Sequence, residues 1–297
     1  MKEPWVDLLL PSLSSSRPVL IAGPTASGKS ALAMALAQRD GRVIVNADAL
    51  QVYARWRILT ARPSPEDEAQ AKHHLYGHIG RDAPYSVGHW LREVAVVLES
   101  GQPVVIVGGT GLYLTALTEG LVDIPPTPPQ VRKTADQRRL SDDTAGMLAE
   151  LDAATYARID RANPARVQRA WEVLQSTGRG LADWQADTGP ALLPLHDAEA
   201  IVLRPAPEWL NTRINARFDA MITAGAVAEA AAELPFWDAS KPSSRAIGAP
   251  ELMAHLRGGM DLATAIAAGK LASRQYAKRQ RTWLRNRMAG WSAVSLP

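Results

Sequence analysis

The stretch Gly23-Pro24-Thr25-Ala26-Ser27-Gly28-Lys29-Ser30 has the residue types and the spacing to grip a di- or triphosphate, fitting G-x-x-x-x-G-K-[ST] at every fixed position. Gly23 and Gly28 free the backbone to turn several N–H groups toward one anion, and the helix that follows adds its positive end. Lys29 supplies a full charge, and the Ser30 hydroxyl is placed to hold Mg²⁺. A glycine-rich turn without a ligand is the plainer alternative. The flanks argue against it, because Val19-Leu20-Ile21-Ala22 reads as a buried strand and residues 31–37 as a strong helix former.

Other residues could join this chemistry. Asp48 follows the apolar run 42–46, so it stands either at the ligand-binding edge of a parallel sheet or as a helix N-cap. Spacing alone leaves both open. Arg213 and Arg217 are four apart on one helix face, and Arg217 is the candidate to close over phosphates. Arg166 and Arg169 share a face of another helix. His73, His74 and His78 invite a metal, but without a cysteine partner or an H-E-x-x-H spacing they read as surface or structural side chains. The run 104–107 ends in Gly108-Gly109-Thr110-Gly111, where an ATP-hydrolysing motor would carry an acid, and paired glycines suit close approach by a ligand or a tight turn.

The elements that must position these residues alternate strand and helix, which gives an α/β fold with a parallel sheet. Strands are expected at 19–22, 42–46, 104–107 and 200–204, with an edge strand at 291–294. Residues 63–90 read as mostly loop, with a helix at 86–98. Four prolines in Pro125-Pro126-Thr127-Pro128-Pro129 mark a stiff connector. The expected organisation is a core from 1–122, a helical insertion at 123–199, and the rest of the core at 200–297. Within the insertion, Asn163-Pro164 opens a helix that Gly178 closes. Net charge is only +3, yet Lys270, Arg274, Lys278, Arg279, Arg281, Arg285 and Arg287 form a block without an acid, which suits an anion such as nucleic acid. Zero cysteines exclude disulfides, thiolate zinc sites and a cysteine nucleophile. The opening residues are too short and interrupted for a signal peptide, and no run is long enough to span a membrane, so a soluble cytoplasmic protein is expected.

Taken together, the phosphate loop, Asp48-x-x-Gln51-Val52-Tyr53, Thr60-Ala61-Arg62-Pro63, His73-His74-Leu75, residues 107–113, and Arg274-Gln275-Tyr276-Ala277-Lys278-Arg279-Gln280 with Thr282-Trp283 resemble the tRNA dimethylallyltransferases, or tRNA isopentenyltransferases. The resemblance implies a P-loop NTPase-like, nucleotide-kinase-type core with a helical insertion that embraces the anticodon stem-loop. It implies transfer of a dimethylallyl group from dimethylallyl diphosphate to N6 of adenosine 37 of tRNA, with Mg²⁺ in the site; a monomer is expected. Asp48 matches the family's general base, and Thr25 its diphosphate contact near the reacting carbon. The tRNA contacts carried over are Asp48, Ala49, Leu50, Gln51, Thr110, Arg132, Ala165, Arg166, Val167, Gln168, Arg169, Arg245 and Gly248. This chain has Ala49 where the family usually has Ser, Ala165 for Gln, and Ala249-Pro250 for Tyr and a polar residue. Two other classes compete: an ATP-dependent small-molecule kinase, and an RNA-binding protein with a relic phosphate loop.

Overall fold

Four-residue apolar runs without polar alternation must be buried on both faces, and a parallel sheet covered by helices does this. The computed structural model describes residues 3–297 and contains such a sheet. Its strands are β1 (Val19–Ala22), β2 (Val43–Asn46), β3 (His73–His74), β4 (Val104–Gly108), β5 (Glu199–Pro205) and β6 (Ser292–Leu296). They lie in the order β3-β2-β4-β1-β5-β6, and every pairing is parallel.

Side chains alternate between the faces. Leu20, Val45, Ile106 and Val202 join a core with Trp90, Leu114 and Leu284, while Val19, Ile21, Ile44 and Val105 join one with Leu32 and Leu36. The register fixes where the chemistry sits. Ala22 pairs with Gly108 and Val202, and Asn46 with Val107, so β1, β2 and β4 end nearly level. The phosphate loop, the turn holding Asp48 and the Gly109–Gly111 turn therefore leave the same carboxyl edge, where open α/β sheets bind ligands.

The reading of 63–90 as loop missed a helix, Pro65–Gln70, and the two-residue β3. Ser64 and Asp67 form a capping box that starts this helix at Pro65, a signal legible in the residues. A two-residue strand has no periodicity to read.

The chain folds as two compact units, one made of the segments up to Thr118 and Leu192–Pro297, the other of Glu119–Ala191. The proline-based range of 123–199 differs at both ends. The Leu193 N–H donates to the Leu117 carbonyl, and Leu193 and Ala198 already pack in the sheet's core. Prolines report chain stiffness, whereas packing sets the boundary. Glu119–Ala191 contains the helices Pro129–Leu140, Thr144–Ala149, Ala153–Arg158, Pro164–Thr177 and Leu181–Ala186. Ala135, Met147, Val167 and Trp171 form its core. The Asn163 side chain accepts the Arg166 N–H, and Gly178 ends the helix with φ 69°. No helix among the described residues is long and apolar enough to cross a membrane.

Candidate active site

The phosphate loop is shaped by two residues in the left-handed region, Ala26 at φ 62° and Gly28 at φ 88°. Such turns point successive N–H groups inward, and the first amides of helix Lys29–Asp40 have no intrahelical acceptor, so together they form an anion cradle. The loop is braced from both sides. Arg213 Nε donates to the Ala26 carbonyl at 2.9 Å, and the same guanidinium pairs with Glu3. On the other side, the Thr25 N–H donates to Gln280 Oε1 at 2.9 Å, while Gln280 Nε2 donates to the Gly109 carbonyl at 3.0 Å.

Beside the loop lies a cavity of about 270 Å³. Its lining combines charged and polar residues, Thr25, Lys29, Ser30, Asp48, Arg217 and Tyr276, with apolar ones, Leu50, Leu59, Ile214, Phe218, Met221 and Ile247. Lys29 is held by a 3.3 Å hydrogen bond to the Pro24 carbonyl. Burial first, then the nearby Arg217, draws its pKa down to about 8, while Asp48 opposes the shift. Burial also lowers the Arg217 pKa, again opposed by Asp48. Tyr276 is pushed above the ordinary tyrosine value by burial and then by Asp48, so its hydroxyl stays protonated. Asp48 Oδ1 accepts the Leu50 N–H at 2.9 Å, and the Asp48 N–H donates to Asn46 Oδ1 at 2.8 Å. One carboxylate thus sits in a fixed turn among two cations. The helix-cap alternative fails as stated, because residues 49–52 form turns rather than a helix.

Of the residues predicted from sequence, Thr25, Ala26, Lys29, Ser30, Asp48, Leu50, Gln51 and Arg217 come together around this cavity. Gly23, Pro24, Ser27 and Gly28 shape the loop; the fully buried Ser27 hydroxyl lies under Gly23, away from the cavity. Thr110 ties the turns instead of lining the cavity: its Oγ1 accepts the Ala49 N–H at 2.9 Å and its N–H donates to the Ala47 carbonyl. Arg245 is exposed, and Gly248 is buried with φ 93° against Phe218. Arg132 and residues 165–169 belong to the other unit. There, Ala165, Arg166 and Arg169 are accessible, but Val167 and Gln168 are buried. Their side chains serve the helix packing, and this removes them as side-chain RNA contacts.

Sequence reasoning missed the walls. Ile214, Phe218 and Met221 flank the expected Arg217 on one stripe of helix Pro207–Thr223, and Ser273, Tyr276 and Gln280 form one stripe of helix Leu262–Arg287. Both follow helical spacing, which was legible in the residues. The paired glycines also have a different use from ligand approach. A side chain at Gly109 would meet the Gln280 carboxamide, and one at Gly111 the Trp283 ring, so the terminal helix itself makes the close approach. Gln280→Leu leaves one buried donor and one buried acceptor unpaired, and is expected to cost about 1–3 kcal/mol of stability. Urea unfolding measures this; an unchanged midpoint would show that the bracket is idle.

A metal would take few ligands from the protein, since no cluster of three or more His, Cys, Asp or Glu among the described residues could hold one. His73 Nδ1 lies 2.9 Å from the Ala71 carbonyl and His78 Nε2 2.9 Å from Glu93, which agrees with structural histidines.

The comparisons with known proteins agree along nearly the full chain. A family model described as IPP transferase matches residues 51–287, and one described as isopentenyl transferase matches residues 17–79. A tRNA dimethylallyltransferase of Cereibacter sphaeroides is 65% identical over 97% of this chain and 92% of its own length. One of Dinoroseobacter shibae is 61% identical over 96% of this chain and 97% of its own. The solved structure of the tRNA isopentenylpyrophosphate transferase of Bacillus halodurans matches with a TM-score of 0.64 at 30% identity, covering 94% of this chain and 90% of that one. With its phosphate loop, its parallel sheet and this agreement over nearly its full length, the chain belongs to the IPP transferase family, that of the tRNA dimethylallyltransferases.

Proposed function

We propose that this chain transfers the dimethylallyl group of dimethylallyl diphosphate to N6 of adenosine 37 in tRNA and releases diphosphate, acting as a monomer in the cytoplasm. One cavity lined by both cations and apolar side chains carries this reading. A short prenyl diphosphate has both a charged and an apolar part.

The adenine N6 attacks C1 of the prenyl group, the C1–O bond breaks, and the N6 proton passes to the Asp48 carboxylate. Fixing Oδ1 on the Leu50 amide leaves Oδ2 to receive that proton. Negative charge develops on the leaving diphosphate, where the loop amides, Lys29 and Arg217 face it before the reaction begins. Thr25, its amide committed to Gln280, sits beside the reacting end. Ser30, the first-turn hydroxyl on the same cavity, fits a Mg²⁺ ligand set completed by diphosphate oxygens and water. A metal bound there would neutralise leaving-group charge. An adenine reaches such a cavity only out of its stack, at a few kcal/mol. Ala49, Leu50 and Gln51 then serve the base, with Thr110 holding their turn, and Arg132, Ala165, Arg166, Arg169 and Arg245 the tRNA backbone.

The test is transfer of radiolabelled dimethylallyl groups to unmodified tRNA with Mg²⁺. Label on the anticodon-adjacent adenosine is expected. No label, with ATP consumed on a small metabolite instead, would hand the site to the kinase reading.

A further inference from the structure

Glu172 is the fully buried acid of helix Pro164–Thr177, and no residue of the diphosphate cavity explains it. Its Oε1 accepts a hydrogen bond from Gln168 Nε2 at 2.8 Å, and the same nitrogen reaches Asp136 Oδ1 at 2.8 Å on helix Pro129–Leu140. Its Oε2 makes no hydrogen bond. That oxygen is balanced by charge instead: the Arg132 guanidinium lies 3.2 Å away and that of Arg169 3.8 Å away. Arg169 also donates to Thr127 Oγ1 at 2.8 Å.

A buried carboxylate is tolerated only with its partners in place, and removing one partner of such a pair is costly. The constraint therefore runs both ways. Glu172 needs the two arginines, and the two arginines are drawn to one point between the helices. Their side chains keep 51% and 39% of their surface exposed, so each guanidinium retains outward N–H donors. The Arg166 side chain, by contrast, is exposed and pairs with Asp160, at 3.4 Å, away from this cluster.

We propose that Glu172 is a positioning residue for tRNA binding, holding Arg132 and Arg169 as one preformed phosphate clamp. The proposal rests on the reading of these two arginines as tRNA contacts. It makes a prediction of unusual sign. Removing an acid beside an RNA-binding surface should strengthen binding by simple charge, whereas here removal frees two long side chains whose rotamer entropy must then be lost on binding.

The experiment is tRNA binding by the full chain over a range of salt, with thermal unfolding measured beside it. The chains compared are wild type, Glu172→Gln, Glu172→Asp, Arg132→Ala/Arg169→Ala, and that pair combined with Glu172→Gln. Glu172→Gln is expected to raise Kd about 5–10-fold, as the freeing of both arginines implies. The salt slope should also shrink by about 1 for each phosphate that is no longer neutralised. Glu172→Asp keeps the charge and should lose less, which keeps the test open if Glu172→Gln folds poorly. In the background lacking both arginines, Glu172→Gln should change nothing further. Unchanged or tighter binding by a folded Glu172→Gln overturns the proposal, as does an equal further loss in the double-arginine background. Wild-type binding by Arg132→Ala/Arg169→Ala would overturn the clamp by a separate route, since the arginines would then not touch tRNA.

Discussion

Asp48→Asn is expected to lower kcat by ~10²–10⁴, the usual contribution of a positioned general base. Asparagine keeps the volume and can still accept the Leu50 N–H, so the turn after β2 should persist. What it loses, on the proposed mechanism, is the capacity to take the N6 proton as the C–N bond forms. The exocyclic amine of adenine is a weak nucleophile, because its lone pair is delocalised into the ring, so that capacity matters in the transition state more than in binding. The KM for dimethylallyl diphosphate should stay level or fall at pH 7, since Lys29 and Arg217 lose a competing carboxylate. Tyr276 should become easier to ionise for the same reason. A lower kcat with no rise in KM is the mark of an interaction made only in the transition state. Turnover within a few-fold of wild type would remove Asp48 from the reaction.

The phosphate-loop motif was legible because backbone chemistry demands its residues. Only glycine, lysine and a hydroxyl at set intervals make the loop, and the flanking strand and helix follow from apolar runs. The order of the strands was not legible: nothing in Val43–Asn46 says that it pairs with β4 and not with β1. The apolar lining of the cavity was hidden for a related reason. Leu50, Leu59, Ile214, Phe218, Met221 and Ile247 come from separate segments, and each reads alone as ordinary core. Phe218 takes its place because Gly248 and Gly269 leave room for its ring, a pairing between distant positions that no local pattern carries. The run 165–169 shows the opposite error. Taking a contiguous motif whole ignores that a helix turns two of its members, Val167 and Gln168, into the core. Glu172 escapes notice because an acid on a polar helix reads as surface, and only tertiary structure shows it fully buried.

Lys29 yields the second large effect, and its direction follows from its surroundings. Lys29→Ala is expected to lower kcat/KM for dimethylallyl diphosphate by ~10²–10³, the scale of losing one charged donor in a preorganised site. Unlike Asp48→Asn, it should also raise KM, because in the proposed mechanism the ammonium meets the diphosphate before and during the reaction. In the free protein its pKa is lowered to about 8, by burial and by Arg217. It is therefore cationic at pH 7 and loses its charge as pH rises through 8. A bound diphosphate favours the charged form and raises the pKa again. Affinity should accordingly be level below pH 8 and fall above it, up to about tenfold per pH unit until the pKa of the complex is reached. The tyrosines do not confuse this window, since burial holds Tyr76, Tyr113 and Tyr276 above their ordinary range. Lys29→Arg supplies the control, for a guanidinium stays charged throughout. Its kcat/KM should be lower than wild type but level from pH 7 to 9. A wild-type profile that is equally level would mean that the Lys29 ammonium is not the group that meets the diphosphate.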